Sequence, residues 1–254
     1  MQTEKELAVV VGATGAFGQA MVKRLLEHNL NVVAVARSAA AVDALAADYP
    51  GVTGCVADIA DDSAIETIAN TLENCGARVR TVVHGPGVGV AGGILTAPTQ
   101  TMVEAVNIKV GGLLRLARAA DTMLADHARI IAIGGHYGLE PTAYAAAAGV
   151  ANAALINVVR QLSLAYGPRN ITAHVIAPGP ADTERLHRVA ATRAQQRGLS
   201  LDDVLDEMRA ESSIGAFTTP EQVAWAVTTL LAPEATATTG STLMLDSGRR
   251  KGLP

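Results

Sequence analysis

Short runs of β-branched and other apolar residues recur at positions 7–11, 32–36, 52–57, 79–83, 129–133, 171–176 and 242–245. Each is too short for a helix and predicts a strand. Between them lie helix-length segments whose apolar positions follow the helical period. Met21, Val22, Leu25 and Leu26 mark the inner face of a helix after the first strand, and Ile65, Ile68, Ala69 and Leu72 fall at i, i+3, i+4 and i+7 in another. Ser63 with Glu66 predicts a capping box at the start of that second helix. Apolar strands alternating with helices mean a parallel sheet covered on both faces, so the expected fold is α/β, a doubly wound Rossmann fold with a seven-stranded parallel sheet.

Two segments break the regular alternation. Residues 143–166 read as one long helix crowded with alanine, which suits either an interior position or a subunit interface. Residues 183–217 are polar and helical (Glu184, Arg185, Arg188, Arg193, Asp202, Asp203, Glu207) with no strand of their own, so 182–217 is the expected substrate lid at the carboxyl end of a strand. Nothing along the chain reads as a linker, and residues 1–254 are expected to form one domain.

With 49% hydrophobic and 17% charged residues, the chain can fill a large buried sheet. A net charge of −4, with no basic face interleaved with aromatics, excludes nucleic acid as an expected partner, and Arg249, Arg250 and Lys251 are too few to change that. The amino-terminal Met-Gln-Thr-Glu-Lys-Glu has no basic leader, and no run approaches twenty apolar residues. No membrane partner is expected, and the protein is read as soluble and cytoplasmic. Cys55 and Cys75 lack metal-ligand spacing, so no metal is expected.

Gly12-Ala13-Thr14-Gly15-Ala16-Phe17-Gly18 follows the first strand directly and opens a helix. Its glycines allow a tight turn and let backbone amides approach a pyrophosphate, the pattern of a dinucleotide site. The second strand ends at Ala36, where an acid would hold the ribose 2′-hydroxyl of NAD; Arg37 and Ser38 follow instead. An arginine there pairs with a 2′-phosphate, which favours NADP(H).

Together with several further motifs, these features resemble the short-chain dehydrogenase/reductase family along essentially the whole chain. Gly12 to Gly18 is similar to its glycine loop, with Ala16 where a glycine is usual. Asp58, followed by Ile59, matches the acid at the adenine. His84-Gly85-Pro86-Gly87 takes the place of the Asn-Asn-Ala-Gly turn, keeping only the last glycine, and Asn107 followed by Gly111 matches the helix asparagine of the catalytic tetrad. Pro178-Gly179 with Thr183 matches the loop that holds the nicotinamide carboxamide, and residues 239–248 resemble the closing strand.

The same resemblance implies a tyrosine that donates a proton to a substrate carbonyl, a lysine four residues later and a carbonyl-polarising serine. These three are missing. Gly135 stands at the serine position in Gly134-Gly135-His136-Tyr137-Gly138; the tyrosine position, ten residues past Gly138 and thirty before Pro178, is Ala148, and the lysine position is Asn152. Tyr144, His136 and Tyr137 are the replacement candidates, with Asn107 retained. On a continuous helix Tyr144 is expected one turn ahead of Ala148 on the same face. His84 and His174 read as structural.

The leading expectation is an NADP(H)-binding oxidoreductase of a small-molecule substrate with a non-standard active site. Two alternatives stay open: a dinucleotide-binding protein or silent subunit without turnover, and a non-redox isomerase, lyase or cyclase on the same scaffold. The resemblance also implies a homo-oligomer, a tetramer or dimer, with helices over 101–124 and 143–166 at a two-fold interface.

Overall fold

The computed structural model describes residues 5–89 and 92–252; residues 1–4, on which most of the amino-terminal reading rests, lie outside the described residues, as do 90–91 and 253–254. Seven strands form one sheet: β1 (Leu7–Val11), β2 (Asn31–Ala36), β3 (Val52–Val56), β4 (Val79–His84), β5 (Leu124–Ile133), β6 (Thr172–Pro178) and β7 (Thr242–Leu245). Their order is β3-β2-β1-β4-β5-β6-β7, and every pairing is parallel. The direction of winding reverses between β1 and β4, where an open α/β sheet leaves a crevice at its carboxyl edge.

Alternation within the strands builds two cores. Leu7, Val9 and Val11 of β1 face one side, with α3 (Ser63–Cys75), α5 (Gly112–Ala120) and α6 (Ala146–Tyr166) covering it through Ile68, Leu72, Leu113, Leu116, Leu155 and Val159. Ala8 and Val10 face the other side, covered by α1 (Ala16–Glu27), α2 (Ala39–Asp48) and α9 (Pro220–Thr229) through Met21, Val22, Leu25, Leu45, Val223 and Val227. Buried side chains on both faces explain why these strands read as apolar runs.

Several sequence expectations need correction. β5 begins at Leu124, not at 129, and passes through a left-handed residue, His127, with φ 61°. The segment expected as one helix from 101 to 124 is broken into α4 (Thr99–Val106), a π-helical turn (Asn107–Gly111), α5 and a 3-10 turn (Asp121–Met123). The capping box at Ser63 does not form. Ser63 is already the first helical residue, its amide is taken by Asp61 Oδ1 at 2.8 Å, and the cap, Asp62, makes no side-chain bond to the helix. A capping box does form at the start of α9, between Thr219 and Gln222.

The excursion after β6 holds α7 (Glu184–Arg197) and α8 (Leu201–Ala210). These helices share a small apolar core of Leu186, Ala190, Ala194, Val204, Leu205, Met208 and Phe217. At its base Ala181 and Thr218 form a parallel bridge, so the two ends of the excursion meet.

Candidate active site

The crevice begins at the glycine turn. Gly12 has φ +81°, and a Cβ there would lie 3.2 Å from the backbone of Gly85; at Gly18 a Cβ would lie 2.2 Å from Gly12 O. Only glycine fits either position, and the turn delivers the chain into α1 with Gly15 as an extended cap. No side chain caps α1 and no acid lies in its first turn, so the amides at Ala16, Phe17 and Gly18 are left for an anion. Thr14 O accepts from the Gln19 side chain at 2.9 Å, which holds the turn.

Arg37 is exposed and has no hydrogen bond or ion pair among the described residues. Ser38 caps α2, its Oγ accepting from Ala41 N at 3.3 Å. Asp58 Oδ1 accepts from Ala60 N at 3.0 Å, and Ile59 is buried beside it. Gly85 and Pro86 lie beside Gly12. At the far side Gly179 packs with no room for a side chain against Asp246, and Thr183 caps α7 in an extended conformation, its hydroxyl donating to Ala181 O at 3.3 Å. These residues fit a dinucleotide laid across the carboxyl edge.

His84 does not belong with them through its ring. The side chain is fully buried and its Nε2 reaches Ile108 O at 2.9 Å in the π turn. Burial, and then the charge of Lys109, push its pKa down to about 3. Both polar atoms of the Asn107 amide are bonded to the protein: Nδ2 donates to Ala60 O at 2.9 Å, and Oδ1 accepts from Arg115 at 3.0 Å. His174 is a core residue with Nε2 2.8 Å from Thr172 Oγ1.

The structure brings three of the replacement candidates together. After β5, Gly135 leads into a 3-10 turn (His136–Gly138) that packs on α6 at Asn152. Tyr137 OH and Tyr144 OH lie 2.8 Å apart, with their rings edge to face at 5.7 Å. The His136 ring lies against Tyr137, tilted by 41° with centroids 3.9 Å apart. Burial, with Arg249 adding to it, lowers the His136 pKa to about 4, so it is neutral at pH 7 and is no proton reservoir.

Tyr144 is not on α6, which corrects the helical-face argument. The helix begins at Ala146, and Ala145, its cap, has φ −119° and ψ 49°. The chain before it is held by the loop after β4, with Ile94 N donating to Ala143 O at 2.8 Å and Ala146 N to Gly92 O at 3.3 Å. These bonds keep 143–145 out of the helix and turn Tyr144 toward Tyr137.

At the emptied positions, Ala148 and Asn152 are buried on α6. A Cβ on Gly135 would lie 2.9 Å from Asn152 Nδ2, and Asn152 Oδ1 is buried without a partner among the described residues. An orphaned acceptor beside the crevice fits a ligand hydroxyl.

Two features escaped the sequence reading. Lys109, 3% exposed, donates from Nζ to Ile133 O at 2.7 Å, and burial, with Arg185 nearby, lowers its pKa to about 8. Its signal was present: Ala105, Lys109, Gly112, Leu113 and Leu116 follow one buried helical stripe. The second is the grip of α7 on the site. Arg185 Nη2 donates to Val88 O at 2.6 Å, and the Arg193 guanidinium lies 5.2 Å from the Tyr144 ring centroid. Both were visible only as charges on a polar segment.

Comparison with known proteins adds four findings. Residues 12–250 match a family model described as enoyl-(acyl carrier protein) reductase. The chain is 28% identical to the short-chain reductase protein NovJ of Streptomyces niveus, over 97% of this chain and 95% of NovJ. It is 26% identical to the 3-oxoacyl-[acyl-carrier-protein] reductase FabG of Escherichia coli, over 98% of each. L-sorbose reductase from Gluconobacter frateurii, solved with NADPH and L-sorbose, superimposes with a TM-score of 0.90 at 22% identity, over 98% of each chain.

Proposed function

Because this chain belongs to the short-chain dehydrogenase/reductase family, we propose that it is an NADP(H)-dependent oxidoreductase of small carbonyl compounds in which Tyr144, backed by Tyr137, donates the proton. The observation that carries this reading is the 2.8 Å hydroxyl pair at the crevice. Gly135, Ala148 and Asn152 offer no acid, so the proton must come from elsewhere. Arg37, exposed and without a partner among the described residues, supports the choice of NADP(H). The NADPH held by the sorbose reductase points the same way.

The Gly12–Gly18 turn and Arg37 would hold the dinucleotide, whose dihydronicotinamide would supply the hydride for the carbonyl carbon and leave as the oxidised nicotinamide. The protein's part is to hold the carbonyl near Tyr144 and neutralise its oxygen. Tyr144 gives up its proton there, and the resulting phenolate accepts a hydrogen bond from Tyr137. With Tyr144 41% exposed, solvent restores the proton.

Single-turnover oxidation of NADPH against ketones, enones and imines tests the reading. Tyr144→Phe keeps the ring and removes the hydroxyl, and should slow the chemical step by roughly 10²–10⁴-fold without weakening NADPH binding. Undiminished turnover in that variant would dismiss Tyr144. A wild type that binds NADPH but oxidises it with none of these acceptors would dismiss the oxidoreductase and favour a binding protein without turnover. That second reading draws on Asn152, whose amide fills the space a serine side chain at 135 would need.

A further inference from the structure

We propose that Arg193 is a positioning residue that sets its guanidinium against the Tyr144 phenol, so that the proton-donating group is divided between the body of the protein, which carries both tyrosines, and the α7–α8 excursion, which carries the cation. The inference rests on the reductase reading for its catalytic consequence, and on geometry for the pairing itself.

Arg193 stands apart from its neighbours. Of the other arginines on α7, Arg188 pairs with Glu184, Arg197 forms a two-pronged pair with Glu207, and Arg185 is bound to Val88 O. On the adjoining segments Arg209 pairs with Asp206 and Arg249 with Glu211. Among the described residues Arg193 alone of these has neither a carboxylate nor a carbonyl partner; its guanidinium faces the phenol ring of Tyr144 instead. A cation over an aromatic ring is attracted to its face, and the same charge favours the phenolate over the phenol.

The two tyrosines respond in opposite directions. Burial raises the Tyr137 pKa, and its bond to Tyr144 raises it further. Burial also pushes Tyr144 up, but the hydrogen bond from Tyr137 and the Arg193 guanidinium outweigh it and leave the phenol below its ordinary value. With Tyr137 as the donor in the pair, the direction these shifts favour, the Tyr144 proton is left for a substrate oxygen. Arg249, held by Glu211, is the other charge that acts on this phenol.

This device needs α7 in place. When a substrate carbonyl takes the Tyr144 proton, negative charge moves onto the phenol oxygen, where Arg193 and the Tyr137 hydroxyl stabilise it. If α7 moved away, the phenol would lose its cation and become a weaker acid. Proton delivery would then follow closure of the excursion over the crevice.

Two measurements test the pairing, one of them independent of turnover. Titration by tyrosinate absorbance should show one phenol ionising before the rest in the wild type, a step absent in Tyr144→Phe. In Arg193→Gln that step should move up by about one pH unit, and Arg193→Lys should bring it back. With an acceptor that the wild type reduces, Arg193→Gln should lower kcat about tenfold, leave the NADPH Kd unchanged, and raise the pH of the limb in kcat that reports Tyr144. An unshifted phenol in Arg193→Gln overturns the proposal whatever the turnover shows. A shifted phenol in a protein with no NADPH oxidation overturns its catalytic part together with the reductase reading.

Discussion

Arg37 is the residue on which cofactor choice turns. It follows β2 at the place where an acid would bind a ribose hydroxyl, and no protein group among the described residues competes for its guanidinium. A charge-assisted phosphate contact contributes about 1.5–3 kcal/mol. NADPH should therefore bind at least about tenfold more tightly than NADH, and Arg37→Asp should invert the order. Equal dissociation constants for the two cofactors, measured by fluorescence titration, would remove the basis for NADP(H). This part of the site was legible because each residue acts through local chain geometry: a glycine where a Cβ cannot fit, a cation at a strand's end. Tyr144, Lys109 and Arg193 were not legible in the same way. Their roles depend on partners far along the chain, Ala143 on Ile94, Lys109 on Ile133 and Arg193 on Tyr144, and no periodicity records such pairings.

Among the elements, the strands were the most legible, since a strand buried on both faces must be apolar throughout. Where they were misplaced, a polar residue was the cause. Arg129 is fully buried inside β5 because its guanidinium donates to Leu230 O, His127 O and Ala232 O, stitching the strand to the carbonyl end of α9. From sequence alone it looked like a strand's start. Three histidines on neighbouring segments set a pH dependence. His84, His136 and His174 are buried neutral, with pKa values pushed down to about 3, 4 and 4, first by burial and then by Lys109, Arg249 and Arg129 respectively. Unfolded, each would bind a proton near pH 6.5. The unfolded chain therefore binds more protons between pH 6.5 and 4, and stability falls as pH falls through that window. Each histidine contributes up to about 3 kcal/mol of this loss. Thermal melts should show a steep drop below pH 6.5, made shallower in His174→Gln; a flat profile across that range would contradict these burial assignments.

At the scale of the whole molecule, the doubly wound seven-stranded parallel sheet followed from the alternation of runs, because right-handed crossovers leave few alternatives, while the strand order β3-β2-β1-β4-β5-β6-β7 came from the structure. Assembly is an expectation that rests on the family resemblance. Val103 on α4 and Val150 on α6 are 56% and 44% exposed, an apolar surface that suits a second copy packed two-fold against these helices. Light scattering at micromolar concentration should give a multiple of the chain mass, and Val150→Arg should reduce it; a monomeric mass for the wild type would contradict this. The excursion carrying α7 and α8 has a further consequence. Asp182 N donates to Thr218 O at 2.8 Å and Thr218 N to Pro180 O at 3.0 Å, so its two feet stand side by side on the sheet. A segment whose ends already touch can be lengthened, shortened or exchanged at little entropic expense to the sheet beneath, since closing a longer loop costs only logarithmically more. With its own apolar core, it is the natural cassette for exchange between related chains, and substrate range can diverge there while the cofactor cradle keeps its shape.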